Sequence, residues 1–106
     1  MNEKDWQKTV IDYAHLRGWK VAHFRTTRIQ RANGQVYYAT GVSADGAGFP
    51  DLVLVRGKRL IFAELKADKG IASPEQKEWL HGLEEALQEV YVWRPRDWFI
   101  IEELLK

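Results

Sequence analysis

Apolar positions recur in three rhythms along this chain, and each rhythm predicts a kind of element. Trp6, Val10, Tyr13 and Ala14 return every three or four residues, which makes about Glu3 to Arg17 a helix with one buried stripe. Asn2 is its N-cap, Asp5 stands at the N3 position, and Gly18 stops it. Trp19-Lys20-Val21-Ala22-His23-Phe24 alternates, as a strand does, with Trp19, Val21 and His23 on one face. Leu52-Val53-Leu54-Val55 and Leu60-Ile61-Phe62-Ala63 are unbroken apolar runs, the pattern of strands covered on both faces. Helical spacing returns after Ser73-Pro74-Glu75-Gln76, where Ser is the N-cap, Pro is N1 and Gln is N3. That helix is expected to reach about Gln88 and to bury Trp79, Leu80, Leu83 and Leu87. Val90-Tyr91-Val92-Trp93 is a further strand, and a last helix from Arg96 to Leu105 presents Trp98, Ile101 and Leu105 on one side.

Between the first strand and the two apolar runs lies a different stretch, about 25–46. Asn33-Gly34 predicts a type I′ turn and therefore a second hairpin, flanked by Ile29-Gln30-Arg31-Ala32 and Gln35-Val36-Tyr37-Tyr38. Thr40 to Gly48, rich in Gly, Ser and Asp, reads as a loop leading into Pro50-Asp51. The order of elements gives an α/β fold, one domain over 1–106 with a central mixed sheet and helices on its faces.

The two apolar runs carry the chemistry. Gly57-Lys58 between them suits a two-residue II′ turn, and the register then follows by counting: Arg56 faces Arg59, Val55 faces Leu60, Val53 faces Phe62, and Asp51 faces Glu64. Lys66 shares the face of Glu64. Directly opposed residues have Cβ atoms roughly 4.5–5.5 Å apart, and opposed like charges destabilise a strand pair. A divalent cation relieves that repulsion, because two carboxylates, a main-chain carbonyl and waters make a hard oxygen site for Mg²⁺ or Mn²⁺. Lys66 is then placed to orient a water or to offset charge on a phosphate. The competing reading is a pair of frayed strand ends in water, with Lys66 as an ion-pair partner.

Composition narrows the field without deciding it. Apolar residues make up 45% of the 106 and charged residues 29%, as in ordinary globular proteins. The net charge of +1 neither demands nor excludes a nucleic-acid partner. No cysteine is present, so disulfides and thiolate metal sites are excluded. No apolar run approaches the roughly 18 residues of a membrane span, and Met1-Asn2-Glu3-Lys4-Asp5 is not a signal peptide, so a cytoplasmic protein with no membrane partner is expected. Arg25, Arg28 and Arg31, with Tyr37 and Tyr38 nearby, combine charge for phosphates with rings for bases; they also suit a solvated hairpin.

Pro50-Asp51, a hairpin, and then Glu64-Leu65-Lys66 resemble the PD-(D/E)xK nuclease superfamily. The fuller strings Gly48-Phe49-Pro50-Asp51-Leu52 and Ala63-Glu64-Leu65-Lys66 resemble its VRR-NUC branch, found in stand-alone phage and bacterial proteins and at the end of larger repair nucleases. Here Val92-Trp93-Arg94 departs modestly from the Val-Arg signature of that branch. The resemblance implies a restriction-endonuclease-like fold and a metal-dependent deoxyribonuclease. Asp51, Glu64 and the Leu65 carbonyl would hold the metal, and Lys66 would position water. It also brings forward Glu3, since the family often carries an acidic residue on its first helix, and Gln76, which a capping box explains equally well. Phosphate contacts would come from Arg25, Arg28, Arg31, Lys69, Arg94 and Arg96. Stand-alone members resemble junction-resolving nucleases, which implies branched or flap-type DNA as substrate and a homodimer. The alternative is a catalytically inactive DNA-binding or protein-interaction module of the same fold.

Overall fold

The computed structural model describes residues 1–24, 26–40 and 44–106, with side chains omitted for 26–30, 36–40 and 44. Helix α1 (Glu3–Leu16) begins where expected, the Asn2 side chain accepting the Asp5 N–H at 2.8 Å. It ends one residue early, and Gly18 reverses the chain at φ +85°. Strand β1 (Lys20–His23), the hairpin β2 (Thr26–Gln30) and β3 (Val36–Thr40), then β4 (Leu52–Arg56) and β5 (Arg59–Leu65) follow. Helix α2 (Pro74–Glu85), strand β6 (Glu89–Trp93) and helix α3 (Trp98–Leu105) complete the order.

The central sheet has four strands in the order β1-β4-β5-β6, antiparallel except for the parallel pair β5–β6. This is the mixed α/β architecture expected. Strand β5 is therefore hydrogen-bonded on both sides. Its apolar run fits that position, because both of its faces are covered over much of its length. On one face Leu52, Leu54, Ile61, Ala63, Leu65 and Trp93 are buried against Trp6, Val10 and Ala14 of α1 and Ile101 and Leu105 of α3. Indole hydrogen bonds fasten those layers: Trp6 Nε1 donates to the Trp93 carbonyl at 3.0 Å and Trp19 Nε1 to that of Leu105 at 2.9 Å. The opposite face meets α2 through Phe49, whose ring stands edge-on to Phe24, Phe62 and Trp79 at 5.0–6.1 Å.

Three expectations need correction. Asn33-Gly34 does not form a type I′ turn. The Gly34 N–H bonds the Arg31 carbonyl, Gly34 alone has positive φ (+86°), and Arg31 pairs with Gln35. That is a type I turn closed by a glycine bulge, a three-residue loop that also matches the strand twist. Helix α2 stops at Glu85 rather than near Gln88, and it buries no residue fully. Leu87, expected in the core, is 91% exposed at φ +62°. The Leu87 N–H bonds the Glu84 carbonyl and the Gln88 N–H that of Leu83, a Schellman ending with leucine where glycine is usual.

Candidate active site

The β4–β5 hairpin has the counted register, Arg56 opposite Arg59 and Val53 opposite Phe62, with Gly57 at φ +60° in its turn. The next step along that ladder is Asp51 opposite Glu64. Asp51 itself precedes β4, and its side chain continues the ladder where the strand has ended: Oδ2 accepts the Leu65 N–H at 2.9 Å. On its other side the Asp51 carbonyl accepts the Phe24 N–H at 3.1 Å. Asp51 is thus held from both neighbouring strands.

Glu64 is 1% exposed, the one buried charged side chain in the core among the described residues. Its Oε2 has no hydrogen-bond partner. Burial is the first cause that pushes its carboxyl up, to about 9. The hydrogen bond and negative charge of Asp51 push the same way, Glu3 adds to them, and Lys66 opposes them. Without a cation the Asp51–Glu64 pair therefore holds a proton at neutral pH.

Two devices position the partners of Glu64. Gly48 approaches α2 so closely that a Cβ there would lie 2.5 Å from the Glu75 carbonyl carbon and 2.6 Å from the Gln76 nitrogen. With φ at +84°, only glycine brings the Phe49-Pro50-Asp51 segment in along this path. Beyond β5, Arg94 Nη1 donates to the carbonyls of Ala67 and Gly70 at 2.7 and 2.6 Å. The turn so fixed lies beside the Lys66 stem, with a Cβ at Gly70 only 3.4 Å from Lys66 Cδ. Lys66 is half-buried on the face of Glu64.

The other expected site residues fall into distinct places. Glu3 opens α1 and is exposed, near enough to act on Glu64 by charge. No group of three or more Asp, Glu or His side chains able to hold a metal is found among the described residues. Gln76 closes the capping box of α2, its Oε1 accepting the Ser73 N–H at 2.8 Å while Ser73 Oγ accepts the Gln76 N–H at 3.2 Å. The guanidinium of Arg94, expected on a phosphate, is taken up by main-chain carbonyls. Arg96 lies against the Asp68 carbonyl at 3.4 Å, and Lys69 is exposed. Arg31 is exposed at the tip of the β2–β3 hairpin, Arg25 lies outside the described residues, and the Arg28 side chain is among those omitted. The Asp45 carbonyl accepts from Trp79 Nε1 at 2.8 Å, which ties the loop before Gly48 to α2.

What the sequence reading missed is a cleft of about 640 Å³ that Asp51 helps to line. Lys4, Gln7, Lys8, Ile11 and Asp12 of α1, with His23 and Phe24, make up the rest of its wall. The signal was present, since positions 4, 7, 8 and 11 make a second face of α1 beside the buried stripe.

The residues present fit a divalent cation. The donors are hard oxygens, they stand opposite one another, and one is a buried carboxylate oxygen without a partner.

A mixed sheet with helices on both faces, and an Asp and a Glu-x-Lys brought together at one end of its central hairpin, defines a nuclease-type α/β fold. The family model of the VRR-NUC domain matches residues 22–97. The chain belongs to the VRR-NUC family, a nuclease-type branch of the PD-(D/E)xK superfamily. A solved VRR_NUC domain protein superposes on 98% of this chain and 85% of its own at a TM-score of 0.61, with 22% identity, and so shares the fold. No curated protein matches the chain in sequence. The family acts on DNA and generally uses divalent metals. No helix among the described residues is long and apolar enough to cross a membrane.

Proposed function

We propose that this chain is a Mg²⁺- or Mn²⁺-dependent endonuclease that hydrolyses DNA phosphodiester bonds, selective for junction- or flap-type DNA and working as a homodimer. The observation that carries the reading is the Glu64 carboxyl, buried opposite Asp51 with one oxygen unpartnered. A buried acid in that position costs stability unless a cation or a proton neutralises it. Asp51, Glu64 and the Leu65 carbonyl would hold the ion, with Glu3 acting through water. When bound, the ion supplies positive charge that polarises a phosphate and acidifies a water.

The chain's own residues have separable tasks. Asp51 is oriented by the Leu65 N–H, which leaves its second oxygen to face the site. Lys66 donates from the same face as Glu64, toward the attacking water or a phosphate oxygen. Arg94 acts as a positioning residue for Lys66 through the Ala67–Gly70 turn. Gln76 braces the start of α2 against Gly48, and so supports Asp51 from behind. Arg25, Arg28, Arg31, Lys69 and Arg96 would meet phosphates. Cutting both strands of a branched duplex takes two such sites, which two copies of the chain would supply.

One observation favours the second reading, a binding module without catalysis: the acidic cluster has two close carboxylates rather than three. Cleavage of a four-way junction, a flap, a duplex and a single strand separates the two. Each is incubated with Mg²⁺, Mn²⁺ or EDTA, beside Lys66→Ala checked for folding by thermal melting. Metal-dependent cutting that Lys66→Ala abolishes is the expected result. Junction binding with no cutting under any condition would establish the binding module instead.

A further inference from the structure

Leu87 is a leucine 91% exposed and held in the left-handed conformation that glycine adopts freely. Both features cost stability in the lone chain, and a side chain so exposed touches little of that chain. It stands at the end of a row across the sheet. Lys20 of β1 lies opposite Val55 of β4, and Val55 lies opposite Leu60 of β5. Ile61 is opposite Glu89, so Leu60 neighbours the chain that runs from Leu87 into β6. Opposed residues share a face, and this is the face that carries α2. Helix α2 packs chiefly on β6. Toward β1 and β4 the face is open: Lys20 and Ala22 are exposed, and Val55 and Leu60 are 39% and 37% exposed. The row therefore runs from a cation through apolar side chains to Leu87, beside the acidic end of α2 at Glu84 and Glu85. Neither Lys20 nor Glu84 forms an ion pair among the described residues. Gly82 is exposed in the interior of α2, where glycine costs stability, yet a Cβ there would meet nothing within 4 Å.

We infer that this row is the surface on which a second copy of the chain docks, about a two-fold axis parallel to the strands. The inference rests on the homodimer proposed above and gives it a contact. Reversed upon itself, the row is self-complementary, as an isologous interface requires. Val55 of each copy meets the partner's Leu60. Leu87 lies along the aliphatic stem of the partner's Lys20, whose ammonium reaches Glu84 and Glu85. A two-fold axis across the strands would instead set Lys20 on Lys20 and acid on acid, so charge selects the orientation. The selected axis carries α2 of each copy over the open β1–β4 half of the other's sheet, where the missing side chain of Gly82 admits a close approach. It also brings the two Asp51–Glu64 pairs to the same end of the dimer. Each stands four residues along β4 from Val55, about 13 Å, clear of the row.

The test is sedimentation velocity of the whole chain, without DNA or metal, over a range of protein concentrations. The parent should pass from monomer to dimer as concentration rises. Lys20→Glu and the double variant Glu84→Lys/Glu85→Lys each set like charges together, and each should weaken association by at least about tenfold. Mixed in equal amounts, the two should recover a dimer, because each supplies the charge the other lacks. All three positions are exposed, and lysines suit the last turn of a helix, so both variants should fold. Leu87→Gly should weaken association while raising the melting temperature of the dilute monomer, a split that misfolding does not produce. A dimer that neither charge reversal weakens, or a mixture that stays monomeric, would overturn this contact and leave the homodimer to another face. A parent that is monomeric at every concentration would overturn the contact and the homodimer together. Metal-dependent cleavage by the parent is scored apart from these results, so the nuclease reading stands or falls separately.

Discussion

Replacing Glu64 with glutamine should stabilise the metal-free protein while ending its use of a cation. The magnitude follows from the proton that the buried carboxyl keeps. Unfolded, this group has the ordinary value of 4.5; folded, burial first and Asp51 second push it to about 9. Below about pH 4.5 both states carry the proton, and the group contributes no pH dependence. Above that pH the unfolded chain releases the proton and the folded chain keeps it, so stability falls as pH rises, until about pH 9. The slope is about 1.4 kcal/mol per pH unit, so about 4 kcal/mol is lost between pH 5.5 and 8.5. That is a large share of the roughly 5–15 kcal/mol that holds a domain folded. In Glu64→Gln the side-chain amide keeps the shape, donates to Asp51 as the acidic proton did, and cannot ionise. The assay is urea unfolding in EDTA at several pH values, with the difference between parent and variant plotted so that other titrations cancel. The gap should widen with pH in favour of the variant. Added Mg²⁺ or Mn²⁺ should then stabilise the parent alone. Parallel curves across this pH range would refute the burial of a protonated Glu64.

Three further outcomes test the supports of the site. Gly48→Ala forces a Cβ onto the α2 backbone at 2.5 Å with φ at +84°, so a loss of about 1–3 kcal/mol in unfolding free energy is expected. Cleavage should fall with it even below the melting transition, because the segment leading to Asp51 must shift. Leu87→Gly removes a left-handed leucine that is 91% exposed, and should raise stability by about 1 kcal/mol in a thermal melt. Arg94→Lys keeps the charge but not the fixed fork of donors that reaches the Ala67 and Gly70 carbonyls. It should lower the cleavage rate while leaving oligonucleotide affinity within about twofold, whereas loss of a phosphate contact would weaken binding and flatten its salt dependence.

The legible parts of this chain were those governed by near neighbours. Gly57-Lys58 fixed the hairpin turn, and a strand period of two then carried Asp51, Glu64 and Lys66 to one end of it. Asn2 and Ser73 announced their helices by the same local logic. Misreadings arose where a competing local or distant partner prevailed. Asn33-Gly34 satisfies two turn types, and the added Arg31–Gln35 pair selects the bulged one. Leu87 continues the helical rhythm on paper, but the chain must turn there to bring Glu89 beside Ile61 and start β6. The two roles of Arg94 could not be told apart by spacing, because the carbonyls it meets lie 24 and 27 residues away. Gly48 is legible as a loop residue only; its reason is the backbone of α2, which no window around position 48 contains.

Glu64 and Lys66 ride on or next to β5, inside the sheet, whereas Asp51 stands at the mouth of β4, where one main-chain and one side-chain hydrogen bond hold the incoming segment, so that segment is expected to open in a smaller unit than the sheet. Amide exchange in β5 should track global unfolding, and exchange in the segment from Phe49 to Asp51 should proceed through smaller openings. A cation joining Asp51 to Glu64 would weld the weaker unit to the stronger. Its binding would then be recorded as slowed exchange at Phe49, with the amides of β5 already at the ceiling.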